Sequence, residues 1–122
     1  MDMNAQDAFE MNFFENVLKR DRQNRAALEL LGGLYSKYEM ARQALRIDRR
    51  LVRLAPDDPR ARYNLACSLC LLGRKRDAIA ALKEAIDRGY DDIEWLSQDT
   101  DFDNLKDHPE FKAIIQSGIE RP

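Results

Sequence analysis

The chain has 122 residues, 44% of them hydrophobic and 34% charged, with a formal net charge of −2. That is the length of one domain with a modest core, and the composition of a globular chain with long charged helix faces. Two cysteines do not make a secreted disulfide framework, no apolar run approaches the length of a membrane span, and the acidic stretch 1–10 lacks the apolar region of a signal peptide.

The charge is segregated: −4 over 1–16, +6 over 17–62, +2 over 63–88 and −6 over 89–122. A basic middle between acidic ends points to an acidic partner, to repeats that neutralise one another, or to plain solvated faces. Nucleic acid is a weak reading, because bases interleave with acids and the pI is about 5.5.

In chain order, apolar periodicity predicts a first helix over 6–18, within an N-terminal capping segment 6–22. Phe9, Phe13, Phe14, Val17 and Leu18 are read as one stripe. Shifted by 34 residues, Phe14 falls on Asp48 and Val17 on Leu51, so the segment reads as a half-repeat covering the end of a stack. Residues 25–58 and 59–92 then carry one 34-residue pattern twice, with Leu31 on Leu65, Gly32 on Ala66, Ala44 on Ala78 and Leu51 on Ala85. A period of this length marks stacked helical hairpins.

The first unit holds a helix over 25–38 and another over 40–54, stopped by Ala55-Pro56. Gly32-Gly33 lies mid-helix, where each glycine costs about 1 kcal/mol against alanine, which suggests a close neighbouring helix. The second unit opens on Asp58-Pro59, a cap followed by a first-turn proline. Its helices run over 59–72, ended by Gly73, and 75–87, ended by Gly89. Residues 93–118 form a degenerate C-terminal cap: a short helix through Trp95 and Leu96, an acidic turn over 99–104, and a last helix from His108-Pro109 ended near Gly118. Trp95 is expected to anchor the core or the cap, or else to stand at a groove rim.

The paired units resemble tetratricopeptide repeats. The first supplies Leu28, Leu31-Gly32, Tyr35, Ala44 and Pro56, and departs from the pattern at Asp48 and Leu51. The second supplies Leu65-Ala66, Ala78, Leu82 and Ala85, and departs at Arg62, Leu69 and Tyr90. The tail, with Asp101, Phe102, Leu105, Pro109 and Phe111, resembles the segment that closes many bacterial members. The resemblance implies an all-α fold: a short right-handed α-solenoid of antiparallel helix pairs, with two full repeats between capping helices. It also implies a concave groove that binds an extended or helical segment of another protein. By register the groove presents Glu29, Gly33, Ser36 and Lys37 from the first unit, and Arg60, Tyr63, Asn64, Cys67 and Cys70 from the second. Family members that grip a C-terminal carboxylate use lysine, arginine and asparagine at fixed positions. Only Asn64 matches, with Glu29, Gly33, Glu94 and Gln98 at the others, so that mode is not expected.

Two constellations bear on chemistry. Cys67 and Cys70 form a C-x-x-C, but mid-helix rather than at the helix start that stabilises a thiolate; the plain reading is two small packing residues. Asp99, Asp101, Asp103, Asp107 and Glu110 stand at positions 1, 3, 5, 9 and 12 of a calcium loop. Asn104, Lys106 and Pro109 break that pattern, and the plain reading is an acidic turn of helix-capping side chains. No phosphate loop, dinucleotide fingerprint or nucleophile elbow is present. The reading is therefore a cytoplasmic, non-catalytic protein-interaction module with no cofactor, no nucleic acid and no membrane. Its alternatives are a homo-oligomer that completes its stack by self-association, and a metal- or redox-responsive protein using the acidic turn or the cysteine pair.

Overall fold

Residues 2–120 are described in a computed structural model. They form α1 (Ala5–Arg20), α2 (Arg25–Lys37), α3 (Ala41–Leu54), α4 (Pro59–Leu71), α5 (Lys75–Asp87), α6 (Ile93–Gln98), a 3-10 turn (Thr100–Leu105) and α7 (Pro109–Glu120), with no strand among them. Short polar side chains start three of the longer helices. Asn4 accepts from the Asp7 N–H, Asn24 from the Ala27 N–H, and Asp58 from the Arg60 N–H with Pro59 at the first helical position.

Helices α3 and α5 begin without a side-chain cap, each directly after the same kind of turn. The Glu39 N–H donates to the Ser36 carbonyl and the Met40 N–H to the Tyr35 carbonyl. The same pair of bonds recurs 34 residues on, from Gly73 to Cys70 and from Arg74 to Leu69. Gly73 takes φ +78° there, and Glu39 is forced to φ +58° at the equivalent place. A side chain in this conformation costs on the order of 1 kcal/mol. Glu39→Gly should therefore stabilise the fold, raising Tm by roughly 2–4 °C after the unfolded-state cost of glycine, whereas Gly73→Glu should lower it. Calorimetry on the two variants checks the sign.

Each helix packs on the next, from α1 on α2 through α4 on α5. The 3-10 turn then returns to α4, and α7 lies against α6 and α5. The result is an all-α helical repeat fold of neighbouring pairs. One core joins Met11, Leu28, Leu31, Tyr35, Ile47 and Leu51. A second joins Tyr63, Ala66, Cys70, Leu82, Leu96, Phe102, Leu105 and Phe111. Asp48 on α3 and Ser68 on α4 meet between helices at 2.6 Å, both buried.

Several elements differ from the sequence expectation. Phe9 and Leu18 cannot share a stripe: nine residues at 100° each place them on opposite sides of a helix. α1 buries Asp7, Met11 and Leu18, with Phe14 and Val17 half-buried, and turns Phe9 and Phe13 outward at 66% and 51% exposure. The two glycines of α2 also part company. A Cβ on Gly32 would lie 3.1 Å from Ile47 Cγ2 on α3, while one on Gly33 would meet nothing. Gly118 does not end the last helix; it is where α7 crosses Ile93, whose side chain fills the space that a Cβ would need.

Candidate functional site: the cleft across α2, α4 and α6

The nine residues assigned to a groove fall into three groups. Glu29, Arg60 and Asn64 line one cleft along α2 and α4, together with Arg25, Asp58 and Ala61. Arg60 and Asn64 also line the adjoining cleft of ≈ 410 Å³, with Tyr90, Asp91, Asp92 and Trp95. Arg25 bridges Glu29 at 2.8 Å and Asp58 at 2.5 Å, which fixes the acidic wall of the first cleft. Among the described residues the Arg60 guanidinium and the Asn64 amide donate to nothing, and both side chains are exposed. Trp95 does not anchor the core. The core position on α6 goes to Leu96, fully buried, and Trp95 stands 53% exposed at the rim of the second cleft.

Gly33, Ser36 and Lys37 form the second group, exposed toward the end of α2 that meets α1. Lys37 is already engaged. Its ammonium lies 2.7 Å from Asp7, which also accepts from the Tyr38 hydroxyl at 2.5 Å. The Lys37 bond, then the Tyr38 bond, hold the Asp7 carboxyl below its usual range.

Tyr63, Cys67 and Cys70 form the third group, and none of them faces an open groove: all three are buried. The chain's own C-terminal segment covers them. Tyr63 stacks on Tyr90 at 4.3 Å, meets Phe102 edge-on at 5.6 Å, and donates its hydroxyl to Asp99. Cys67 points its thiol at the same Asp99 oxygen. Cys70 donates to Asn104 Oδ1, whose Nδ2 returns a bond of 2.9 Å to the Cys70 carbonyl. The 3-10 turn thus occupies the face of α4 that register assigned to a ligand. The sequence signal for this was the amphipathic spacing of Phe102 and Leu105 inside the acidic run.

This packing also decides what the cysteines and the acidic run can do chemically. Burial, then the charges of Asp99 and Asp101, push the Cys67 thiol far up; burial pushes Cys70 to about 11. Such thiols stay protonated and are poor nucleophiles. Asp99, Asp101, Asp103 and Glu110 do not form a cation loop. A 3-10 helix runs through the positions that would have to curl around an ion. Asp99 caps that turn through the Asp101 N–H, and Glu110 pairs with Lys83 at 2.9 Å. Cys67 Sγ and one oxygen each of Asp99 and Asp101 lie within 4.8 Å of one another. Of the three, Asp99 also accepts from the Tyr63 hydroxyl.

No helix among the described residues is long and apolar enough to cross a membrane. No protein-family model matches the chain. Over 56 residues the chain is 30% identical to a chloroplastic protein of Arabidopsis thaliana. The matched stretch is 46% of this chain and 17% of that protein, so the likeness spans about a sixth of the relative's length.

Proposed function

We propose that this chain is a non-catalytic interaction module of the tetratricopeptide type, which takes a segment of another protein in the cleft across α2, α4 and α6. The observation that carries this reading is the shared wall of the two clefts. Arg60 and Asn64 stand there with donors unspent, beside an exposed tryptophan. Unspent donors suit a carboxylate or a peptide carbonyl. A half-exposed indole suits an aromatic or aliphatic side chain, as hot-spot residues do. The 34-residue period supports the family, and the free, buried thiols suit a cytoplasmic setting.

The double variant Arg60→Glu/Asn64→Ala should fold normally, since both side chains are exposed, and should lose proteins that the wild type retains in a pull-down. A peptide from a retained protein should shift the emission of Trp95, the sole tryptophan. An unchanged set of retained proteins would remove the cleft from consideration. A second reading, completion of the stack by another copy of the chain, is favoured by one observation: Phe9 and Phe13 are exposed on the outward side of α1.

A further inference from the structure

We propose that the trough between α1 and α3 is a second binding site, which takes a short acidic segment of another protein. The proposal goes beyond the cleft reading and does not rest on it, since trough and cleft share no lining residue. Both helices pack on α2, and Leu31 and Tyr35 of α2 form the floor between them. Helical spacing builds the walls. Lys19 and Arg22 stand three apart at the end of α1 and in its turn, while Gln43, Arg46 and Arg50 follow one line of α3. The trough encloses ≈ 550 Å³ and continues past Arg22 and Arg50 into a further ≈ 490 Å³ beside Arg53. The Arg50 guanidinium donates to the Arg22 carbonyl, which ties the α1–α2 turn to α3 where the two spaces meet.

Lys19, Arg22, Arg46, Arg50 and Arg53 therefore line one channel, Arg50 half-buried and the others exposed. The carboxylate in the channel, Glu15, lies at the end away from Arg53 and accepts from the Tyr35 hydroxyl at 2.5 Å. Among the described residues none of these bases pairs with an acid. The ion pairs of the fold draw their bases from α2, from α4, and from α5 and its two ends. Acids are not scarce, at 22 against 20 bases in the chain. The arginines of α3 stand three or four apart, a spacing at which like charges repel, and its single acid, Asp48, is buried against Ser68. The fold leaves that repulsion uncompensated, and an anionic ligand would relieve it. From Gln43 to Leu54 the wall runs about 16 Å, so the charges are strung out instead of converging on one point. That suits a row of carboxylates, each met by a guanidinium fork. The arginine stems and the exposed edge of Leu54 would take the apolar side chains between them. Nucleic acid fits less well. Tyr35, the aromatic residue of the trough, is buried and offers no face for a base. A long polyanion would also run into the acidic ends of the chain, −4 over 1–16 and −6 over 89–122.

The test is fluorescence anisotropy of a labelled helical peptide of about twelve residues, with glutamate at every third or fourth place. The same peptide with glutamine at those places is the control, and both are titrated with the full chain at low and at physiological salt. The glutamate peptide should bind about ten-fold more tightly than the control or better, and should weaken as salt rises. Arg46→Glu/Arg53→Glu should lose about ten-fold or more of that binding, with Tm unchanged or higher because like charges no longer face each other. Arg46→Gln/Arg53→Gln should bind with intermediate strength. Arg60→Glu/Asn64→Ala should bind the peptide as the wild type does, so that the cleft and the trough fail or stand separately. Equal binding of the two peptides, or binding of neither, overturns the site. A charge-reversed variant that binds like the wild type overturns its location. A clear fall in Tm in both arginine variants would show that these side chains serve the fold, and overturns the binding role. Tighter binding of a single-stranded oligonucleotide of equal charge overturns the choice of partner. So does a wild-type mass that rises with concentration while that of Arg46→Glu/Arg53→Glu does not, which would put another copy's acidic end in the trough.

Discussion

Phe102→Ala should cost about 3–5 kcal/mol of folding free energy, a large part of the 5–15 kcal/mol that holds a typical domain together. The ring is fully buried, edge-on to Tyr63 at 5.6 Å and stacked on Phe111 at 5.8 Å, so alanine would leave a cavity between α4 and α7. Urea unfolding should show the midpoint moving down sharply, with Tm lower by roughly 10–20 °C. The change reaches beyond local packing. Without its ring the 3-10 turn loses its purchase on α4, and Tyr63 and the two cysteines become accessible; thiol labelling of the folded variant would report this. A loss under about 1 kcal/mol would mean that the C-terminal segment rests on the repeats rather than belonging to their core.

Asp48→Asn should make the protein more stable at pH 8 and should flatten part of its pH profile. Burial pushes the Asp48 carboxyl up to about 6, and the Ser68 hydroxyl donating to it only partly offsets this. The folded state therefore holds this proton more tightly than the unfolded chain, whose carboxyl titrates near 3.8. Stability contributed by the group is present below about pH 4, falls as pH rises to about 6, and stays lost above that. A shift of this size corresponds to about 3 kcal/mol. Asparagine keeps an oxygen for Ser68 without the charge, so the difference in urea midpoint between variant and wild type should grow across that window and level off above it. Burial raises Asp101 as well, giving a slope of the same sign that both proteins share. A variant less stable at pH 8 would show that the carboxylate has compensation the Ser68 bond does not provide.

These two residues also mark how far the sequence could be read. Asp48 stood out as a departure from the repeat, but one polar residue on an apolar stripe does not announce its burial. That depends on Gly32 clearing space on α2 and Ser68 arriving from α4, each in a different element. Phe102 sits in a run of acids where periodicity breaks down, because a 3-10 turn presents its faces at three residues per turn rather than 3.6. The helices of the two repeats were legible because their spacing, caps and glycines agree. Glu39 was not legible as a left-handed residue, since no glycine stands at that place and the one signal is Gly73, at the equivalent position 34 residues later. The face of α1 was misread because aromatic residues were counted without placing them around the helix. Of the candidate cleft, Arg60 and Asn64 followed from register. Burial of Tyr63, Cys67 and Cys70 did not, being set by a segment that returns from more than thirty residues away.

That return has a consequence for how the molecule comes together. Packing of each helix on its neighbour needs only short chain closures, so the hairpins can zip in any order and at high speed. The hydrogen bond from Tyr63 to Asp99 spans 36 residues and ties the tail to the middle of the array. A strictly linear stack would fray from its last helix inward. Here α4 is gripped by α3, α5 and the 3-10 turn together, so the tail cannot let go without exposing the centre. The clasp should couple the hairpins, so that loss of the segment from Ile93 onward strips cover from Tyr63, Cys67 and Cys70 in the middle of the array.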